Sequence, residues 1–129
     1  MRIFKNGWFA RFAHRAKISH EALQEAVQRA ENGQIDADLG GGVLKQRVAC
    51  HGRGKSKGYR TIILYREGDK AFFVYGFSKG DRANLREDEE KQFKKMATYV
   101  LALPDSRLRM LIANGQIEEV ERDGKEVSK

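Results

Sequence analysis

A glycine-rich basic segment, residues 51–58, holds the side chains of this chain that are best suited to binding phosphate. Its sequence is HGRGKSKG, and the stretch from Lys45 to Arg60 contains six Lys or Arg residues and no acidic residue. Glycines let the backbone approach a ligand closely and leave amide groups free for phosphate oxygens. The alternative is a soluble hairpin connection that binds nothing. We favour phosphate binding, with positive charge supplied by Arg53, Lys55 and Lys57.

Nucleotide and metal sites are both disfavoured by spacing. The GKS sequence at 54–56 matches the end of a P-loop, but the first glycine of that motif would fall at Ala49, and a strand is predicted where a P-loop requires a helix. The three histidines lack ligand spacing, and the single cysteine, Cys50, has no activating partner. We therefore expect no metal or other cofactor. His51 is the first residue of the basic segment. It could transfer protons there or have no catalytic role, and the two interpretations are equally good.

The composition favours a polyanionic partner. The 129 residues include 25 Lys or Arg and 18 Asp or Glu, which gives a net charge of +7, and 40% are hydrophobic, enough to fold one domain. Nucleic acid is the first candidate. One cysteine cannot form an intrachain disulfide, and no stretch approaches the ~20 apolar residues that cross a bilayer. Lys5, Arg11 and Arg15 interrupt any signal-like segment, so we expect a cytoplasmic protein without membrane contact.

Apolar periodicity predicts two helices early in the chain, after a short strand at residues 1–5. Apolar side chains recur at helical spacing in residues 7–16 and again after Ser19, which stands where an N-cap belongs. Gly33 supplies the stop signal of the second helix. Residues 34–42, which end in three glycines, are predicted to form a flexible connection.

Three strands are predicted next, on the basis of alternation and of β-branched and aromatic residues. They cover residues 43–49, 59–66 and 71–77. In the first of them Lys45 and Arg47 form a basic side opposite apolar residues. The other two are joined through residues 67–69 and are predicted to form a hairpin.

A long helix is predicted after the hairpin. Asn84 and Glu87 resemble a capping box, and apolar side chains recur at helical spacing until Pro104. A short helix at 106–114 follows, and the charged end, residues 118–129, is expected to be partly disordered. Because this order lacks regular βαβ alternation, we predict an α+β fold with a small antiparallel sheet covered by helices.

A second basic cluster, Lys79, Arg82 and Arg86, lies between the last predicted strand and the long helix. Antiparallel pairing brings the start of one hairpin strand beside the end of the other, so the two clusters are predicted to converge at one edge of the sheet. Such an edge could hold consecutive phosphates of single-stranded RNA. Tyr59 or Tyr75 could stack on bases, although packing in the core is the favoured role of each.

Several motifs in this region occur together. They are Gly58-Tyr59-Arg60, the Gly-Arg-Gly-Lys-Ser loop at 52–56, the Tyr-Gly-Phe strand end at 75–77 and the KGDRAN sequence at 79–84. In these motifs and in the order of its elements, the chain resembles the RelE/ParE superfamily of bacterial toxins, and within it the RelE/HigB-like branch. The resemblance implies a RelE-like domain over residues 1–120, with a charged tail at 121–129. It also implies a twisted antiparallel sheet with two N-terminal helices packed on it and a helix after the last strand.

The resemblance implies the toxin of a type II toxin-antitoxin system, acting as a ribosome-dependent mRNA endoribonuclease. Its partners would be the ribosome, mRNA and a cognate antitoxin, often of helix-turn-helix type. The family arginine of the Gly-Tyr-Arg motif corresponds to Arg60, which would bind the scissile phosphate. Where RelE has a tyrosine, this chain has Leu85 and Arg86, so no residue is assigned as general acid or base.

The predicted site residues follow from the basic clusters and from this resemblance. The predicted catalytic residues are Arg60, Lys55, Arg53, His51 and Arg82. The predicted RNA-binding residues are Lys45, Arg47, Lys57, Lys79, Arg86 and Tyr59. Two alternatives remain open, a ParE-like poison of DNA gyrase and a non-catalytic nucleic-acid-binding regulator.

Overall fold

The computed structural model describes residues 1–50 and 54–120 of the chain. Their elements follow one another as β1 (Arg2–Asn6), α1 (Gly7–Ala16), α2 (His20–Glu31), β2 (Ala37–Gly40), β3 (Val43–Cys50), β4 (Gly54–Arg66), β5 (Lys70–Ser78), α3 (Glu87–Val100), α4 (Asp105–Ala113) and β6 (Ile117–Glu119). The predicted α+β class and the two N-terminal helices are confirmed. The last predicted helix is confirmed to within one residue.

The strands form one sheet in the order β2-β3-β4-β5-β1-β6. β1 runs parallel to β5, and the other neighbouring pairs are antiparallel. The prediction of a purely antiparallel sheet was therefore wrong in this detail. More than sixty residues separate the two strands of the parallel pair, so their pairing is not constrained by a tight turn and leaves no local signal in the sequence.

Helices α1 and α2 cover one face of the sheet, which we call the α1/α2 face. Asn6 accepts a hydrogen bond from the Phe9 N–H at 2.8 Å and caps α1, while Ser19 caps α2 as predicted. The buried Gln46 of β3 donates to the Ala26 carbonyl at 2.9 Å and so ties α2 to the sheet. Apolar side chains of both helices pack on strand residues including Leu44.

Helices α3 and α4 cover the opposite face, which we call the α3/α4 face. Its core joins alternate strand residues, among them Val43 and Ile62, to Ala97 and Leu101 near the end of α3 and to Leu108 of α4. Because successive residues of a strand point to opposite faces, the sheet has an apolar core on each side.

The hairpin of β4 and β5 is confirmed, and it extends further than predicted. β3 ends at Cys50 and β4 already begins at Gly54, so residues 54–58 belong to a strand and not to a long loop. Backbone pairing with β3 explains the difference, since Gly54 lies opposite Cys50 despite its glycine-rich surroundings. Residues 51–53 lie outside the described part of the chain.

Three further predictions need correction. Residues 37–40, expected to be flexible, form β2, which pairs with β3 through a register shift next to Gly40. Residues 117–119, part of which was assigned to a disordered end, form β6 beside β1. Helix α3 has its N-cap at Arg86, whose N–H donates to Glu89 at 2.8 Å, so Asn84 is not the capping residue. Residues 121–129 lie outside the described residues.

Candidate nucleic-acid interface

Two predicted site residues, Arg60 and Arg82, lie beside Phe77 on the α3/α4 face. Arg60 of β4 lies opposite Arg47 of β3 on one side and opposite Phe77 of β5 on the other. Directly opposed residues of neighbouring strands share a face. The guanidinium carbon of Arg82, from the segment after β5, lies 5.5 Å from the centre of the Phe77 ring. The structure thus brings together side chains that are distant in sequence.

Lys45 of β3 contacts the segment between β5 and α3. The Lys45 ammonium donates to Asn84 Oδ1 at 2.9 Å, across 39 positions of sequence. The same oxygen accepts the Leu85 N–H at 2.9 Å, so one amide side chain holds both Lys45 and the segment that precedes α3. We call Lys45, Arg60 and Arg82, grouped around Phe77, the Arg60 site.

Arg60 has no acceptor for part of its guanidinium group. Its Nη1 is buried and makes no hydrogen bond to any described residue, although the side chain as a whole is only half-buried. A buried donor without a partner costs free energy, and a charged donor costs more than a neutral one. An anionic oxygen would remove this cost, so Arg60 has the properties of a phosphate ligand.

Arg82 is held in place by neighbouring side chains. It forms a bidentate ion pair with Glu89 of α3, with Nη1 3.1 Å from Oε2, and donates to the Tyr75 hydroxyl at 3.0 Å. These bonds raise the pKa of Arg82 further above its ordinary value. The ion pair with Arg82 and the Arg86 N–H lower the pKa of Glu89 to about 2. Arg82 is therefore oriented toward the site, with its charge largely balanced.

The other predicted site residues whose basic side chains are described differ in whether they form ion pairs. Arg47 bonds Asp36 through its N–H at 2.7 Å and its guanidinium at 3.4 Å. Burial raises the pKa of Asp36, but the bonds from Arg47 outweigh this and leave the pKa below its usual value. Arg86 pairs with Asp88 at 3.1 Å. Lys79 is exposed.

Four predicted residues cannot be placed in this arrangement. His51 and Arg53 lie outside the described residues. Lys55 and Lys57 fall within β4, and their side chains are not among those that the structure describes.

An aromatic cleft of about 410 Å³ lies beside the Arg60 site and shares Phe77 and Arg82 with it. Trp8 stacks on Tyr75 with ring centres 4.6 Å apart, and Tyr59 meets Phe12 edge-on at 5.3 Å. Both tyrosines therefore pack against α1, as favoured from the sequence, and both also line this cleft.

Sequence reasoning missed the contributions of α1 and α3 to this region. Trp8 is 37% exposed and lines the aromatic cleft, and Arg15 lies two turns further along α1 on the wall of the same cleft. Their spacing places both on one helix face, but only the packing of α1 on β5 shows what they face. Asn84 was predicted to be a helix cap, and Glu89 was not singled out.

One comparison with known proteins decides the family. The family model described as the RelE toxin of the RelE/RelB toxin-antitoxin system matches residues 1–120. The chain belongs to the RelE toxin family. A comparison with individually curated proteins gave no match.

Membership of the RelE family makes this chain the toxin of a toxin-antitoxin pair, and it implies an antitoxin partner. Within residues 1–50 and 54–120, no helix combines the length and apolar content required to cross a membrane.

The position at which the chain departs from the RelE tyrosine lies at the start of α3. Leu85 is 8% exposed and belongs to the core of the α3/α4 face, so it faces away from solvent. Arg86 is exposed and pairs with acidic residues of α3. Neither side chain supplies a phenol, whereas the hydroxyl of Tyr75 accepts a hydrogen bond from Arg82 of the Arg60 site.

Proposed function

We propose that this RelE-family toxin is an endoribonuclease that cuts mRNA on the ribosome, with Arg60 bound to the scissile phosphate. The observation that supports this most strongly is the buried Nη1 of Arg60, which lacks an acceptor among the described residues on a face rich in positive charge. Three other arginines each form an ion pair with a carboxylate, namely Arg47, Arg82 and Arg86. None of the described carboxylates pairs with Arg60.

The reaction would be an in-line attack within the RNA strand. The 2′-hydroxyl oxygen bonds to phosphorus, the bond from phosphorus to the 5′-oxygen breaks, and the products are a 2′,3′-cyclic phosphate and a 5′-hydroxyl. The 2′-hydroxyl proton passes to a base, and the leaving oxygen receives a proton. Negative charge increases on the non-bridging oxygens, and Arg60 would stabilise it.

The remaining predicted residues act around this centre in the proposal. His51, Arg53 and Lys55 are proposed from the resemblance, and a lysine serves as base only where neighbouring positive charge lowers its pKa. Arg82 would orient the phosphate. Contacts to the RNA backbone are proposed for Lys45, Arg47, Lys57, Lys79 and Arg86, and the aromatic cleft beside Tyr59 offers a place for a base.

The proposal predicts the outcome of expression without antitoxin. The wild-type chain should arrest growth and cut mRNA within codons, whereas Arg60→Ala should relieve the arrest because the scissile phosphate loses its cationic ligand. Mapping of mRNA 5′ ends and growth curves measure both effects. Arg66→Ala is the matched control, since Arg66 is the last residue of β4, six positions from Arg60, and its side chain is 51% exposed.

Two results would contradict the proposal. Unimpaired arrest by a well-expressed Arg60→Ala variant would exclude the assigned role of Arg60. DNA damage with intact mRNA would indicate a gyrase poison instead.

A further inference from the structure

A second cleft, of about 530 Å³, lies on the α1/α2 face and concentrates positive charge. It is formed by α1, the end of β1, the start of α2 and one residue of β6. Its ionisable side chains are Lys5, Arg11, His14, Arg15, His20 and Glu118. With neutral histidines, three positive charges and one negative charge leave a net charge of +2. We call this the α1 cleft.

A fixed cation lies at the bottom of the α1 cleft. Lys5 is 8% exposed, and its Nζ lies 3.2 Å from His20 Nε2 and 3.4 Å from Glu118 Oε1. A charged ammonium can only donate a hydrogen bond, so the contact requires His20 to accept at Nε2. Because Glu118 is 61% exposed, water weakens its attraction for Lys5.

The rim of the α1 cleft consists of two arginines and a histidine. Arg11, His14 and Arg15 are exposed, and their spacing places them on one face of α1. None of their side chains makes a hydrogen bond or an ion pair with the part of the chain that the structure describes. Like charges so spaced repel one another, and an anion bound between them would remove that repulsion.

We propose that the α1 cleft binds phosphate groups of an RNA duplex. Among the described residues its apolar lining is limited to Ala10, Ala13 and Ile18, so it offers no Phe, Tyr or Trp ring on which an unpaired base could stack. Duplex RNA is bound mainly through its backbone and shape, which requires only charge and N–H donors.

An acidic peptide fits the α1 cleft less well. Protein partners gain most of their binding energy from large aromatic or arginine anchors placed in fitted pockets, and small alanine walls provide no such pocket. Arg60 lies on the opposite face of the sheet, so the phosphates bound in the α1 cleft would differ from the scissile phosphate.

Binding of an RNA hairpin with a continuous duplex stem tests the proposal, measured by fluorescence anisotropy over a range of salt concentrations. Arg11→Gln should weaken binding about fivefold and reduce the slope of log Kd against log salt by about one, because one phosphate contact is lost. Glu118→Gln should tighten binding, since it removes the acid that lines the cleft among the described residues. Arg107→Gln is the control, because Arg107 is exposed on α4 and its loss changes the net charge equally.

Three outcomes would overturn the proposal. The first is that Arg11→Gln binds the hairpin as tightly as wild type. The second is that Arg107→Gln loses as much affinity for the hairpin as Arg11→Gln does. The third is that a glutamate-rich peptide displaces the hairpin at a lower concentration than a competing duplex does. Arg60→Ala should bind the hairpin normally. A variant that loses cleavage but still binds the hairpin is therefore defective in the Arg60 site. A variant that loses hairpin binding but still cleaves is defective in the α1 cleft.

Discussion

Two arginines of the Arg60 site differ in how their charge is balanced. Arg82 contacts the carboxylate of Glu89, the hydroxyl and ring of Tyr75 and the ring of Phe77. Arg60, in contrast, has a buried Nη1 without an acceptor among the described residues. An arginine with a tightly bound carboxylate must give up that partner to bind a phosphate, and Arg60 has none to give up. We therefore propose that Arg60 binds the phosphate and that Arg82 orients the phosphate.

The ion pair of Arg82 makes a prediction about pH. The pKa of Glu89 falls from an ordinary value of 4.5 to about 2 in the folded chain. A depressed carboxyl pKa stabilises the folded state above the unfolded value, and this contribution is lost as pH falls from about 4.5 toward 2. Urea unfolding should show Glu89→Gln less stable than wild type at pH 7, with a gap that narrows below pH 4.5.

Glu90→Gln is the matched control for this measurement, because Glu90 belongs to the same first turn of α3. A gap between wild type and Glu89→Gln that stays constant from neutral to acidic pH would show that the ion pair does not stabilise the fold.

At the scale of elements, the packing of α1 on β5 forms the aromatic cleft. Gly76 allows this close approach, since a Cβ there would lie 2.5 Å from Phe12 Cε2. The Phe12 ring is held by Trp8 and Phe9 and cannot simply turn away. The glycine of the Tyr-Gly-Phe strand end is thus explained by sterics.

Replacing this glycine should separate α1 from the sheet. We expect Gly76→Ala to lower the free energy of unfolding by about 1–3 kcal/mol, the usual cost of overpacking a core. Gly80→Ala is the control, because the nearest atom to its added Cβ is Ser78 Oγ at 4.0 Å. Urea unfolding measures both, and equal stability of the two variants would contradict the steric explanation.

The elements that could be predicted are those with local signals. Ser19 and Gly33 delimit α2, and the short turn after Arg66 predicts the hairpin. β2 was missed because it ends in glycines of positive φ, Gly40 and then Gly41, which resemble a loop. β1 and β6 pair with strands far away in sequence, and the Lys45 contact with Asn84 depends on the folded sheet.

At the scale of the whole molecule, a chain with a net charge of +7 presents cationic side chains on both faces of one sheet. The α3/α4 face carries the Arg60 site, and the α1/α2 face carries the α1 cleft. Arg15 lines both the α1 cleft and the aromatic cleft, so these two surfaces are continuous around α1. A basic molecule of this kind is suited to RNA that surrounds it on more than one side.

The central claim is that Arg60 binds the phosphate at which the RNA is cut, and single-turnover cleavage of mRNA on programmed ribosomes tests it most directly. Arg60→Ala should slow cleavage about 100-fold or more, since removal of one charge-stabilising donor typically costs this much. Its binding to mRNA with a 2′-deoxy scissile nucleotide, which cannot react, should weaken much less. Arg66→Ala should cleave at the wild-type rate. Cleavage by Arg60→Ala at the wild-type rate would contradict the account.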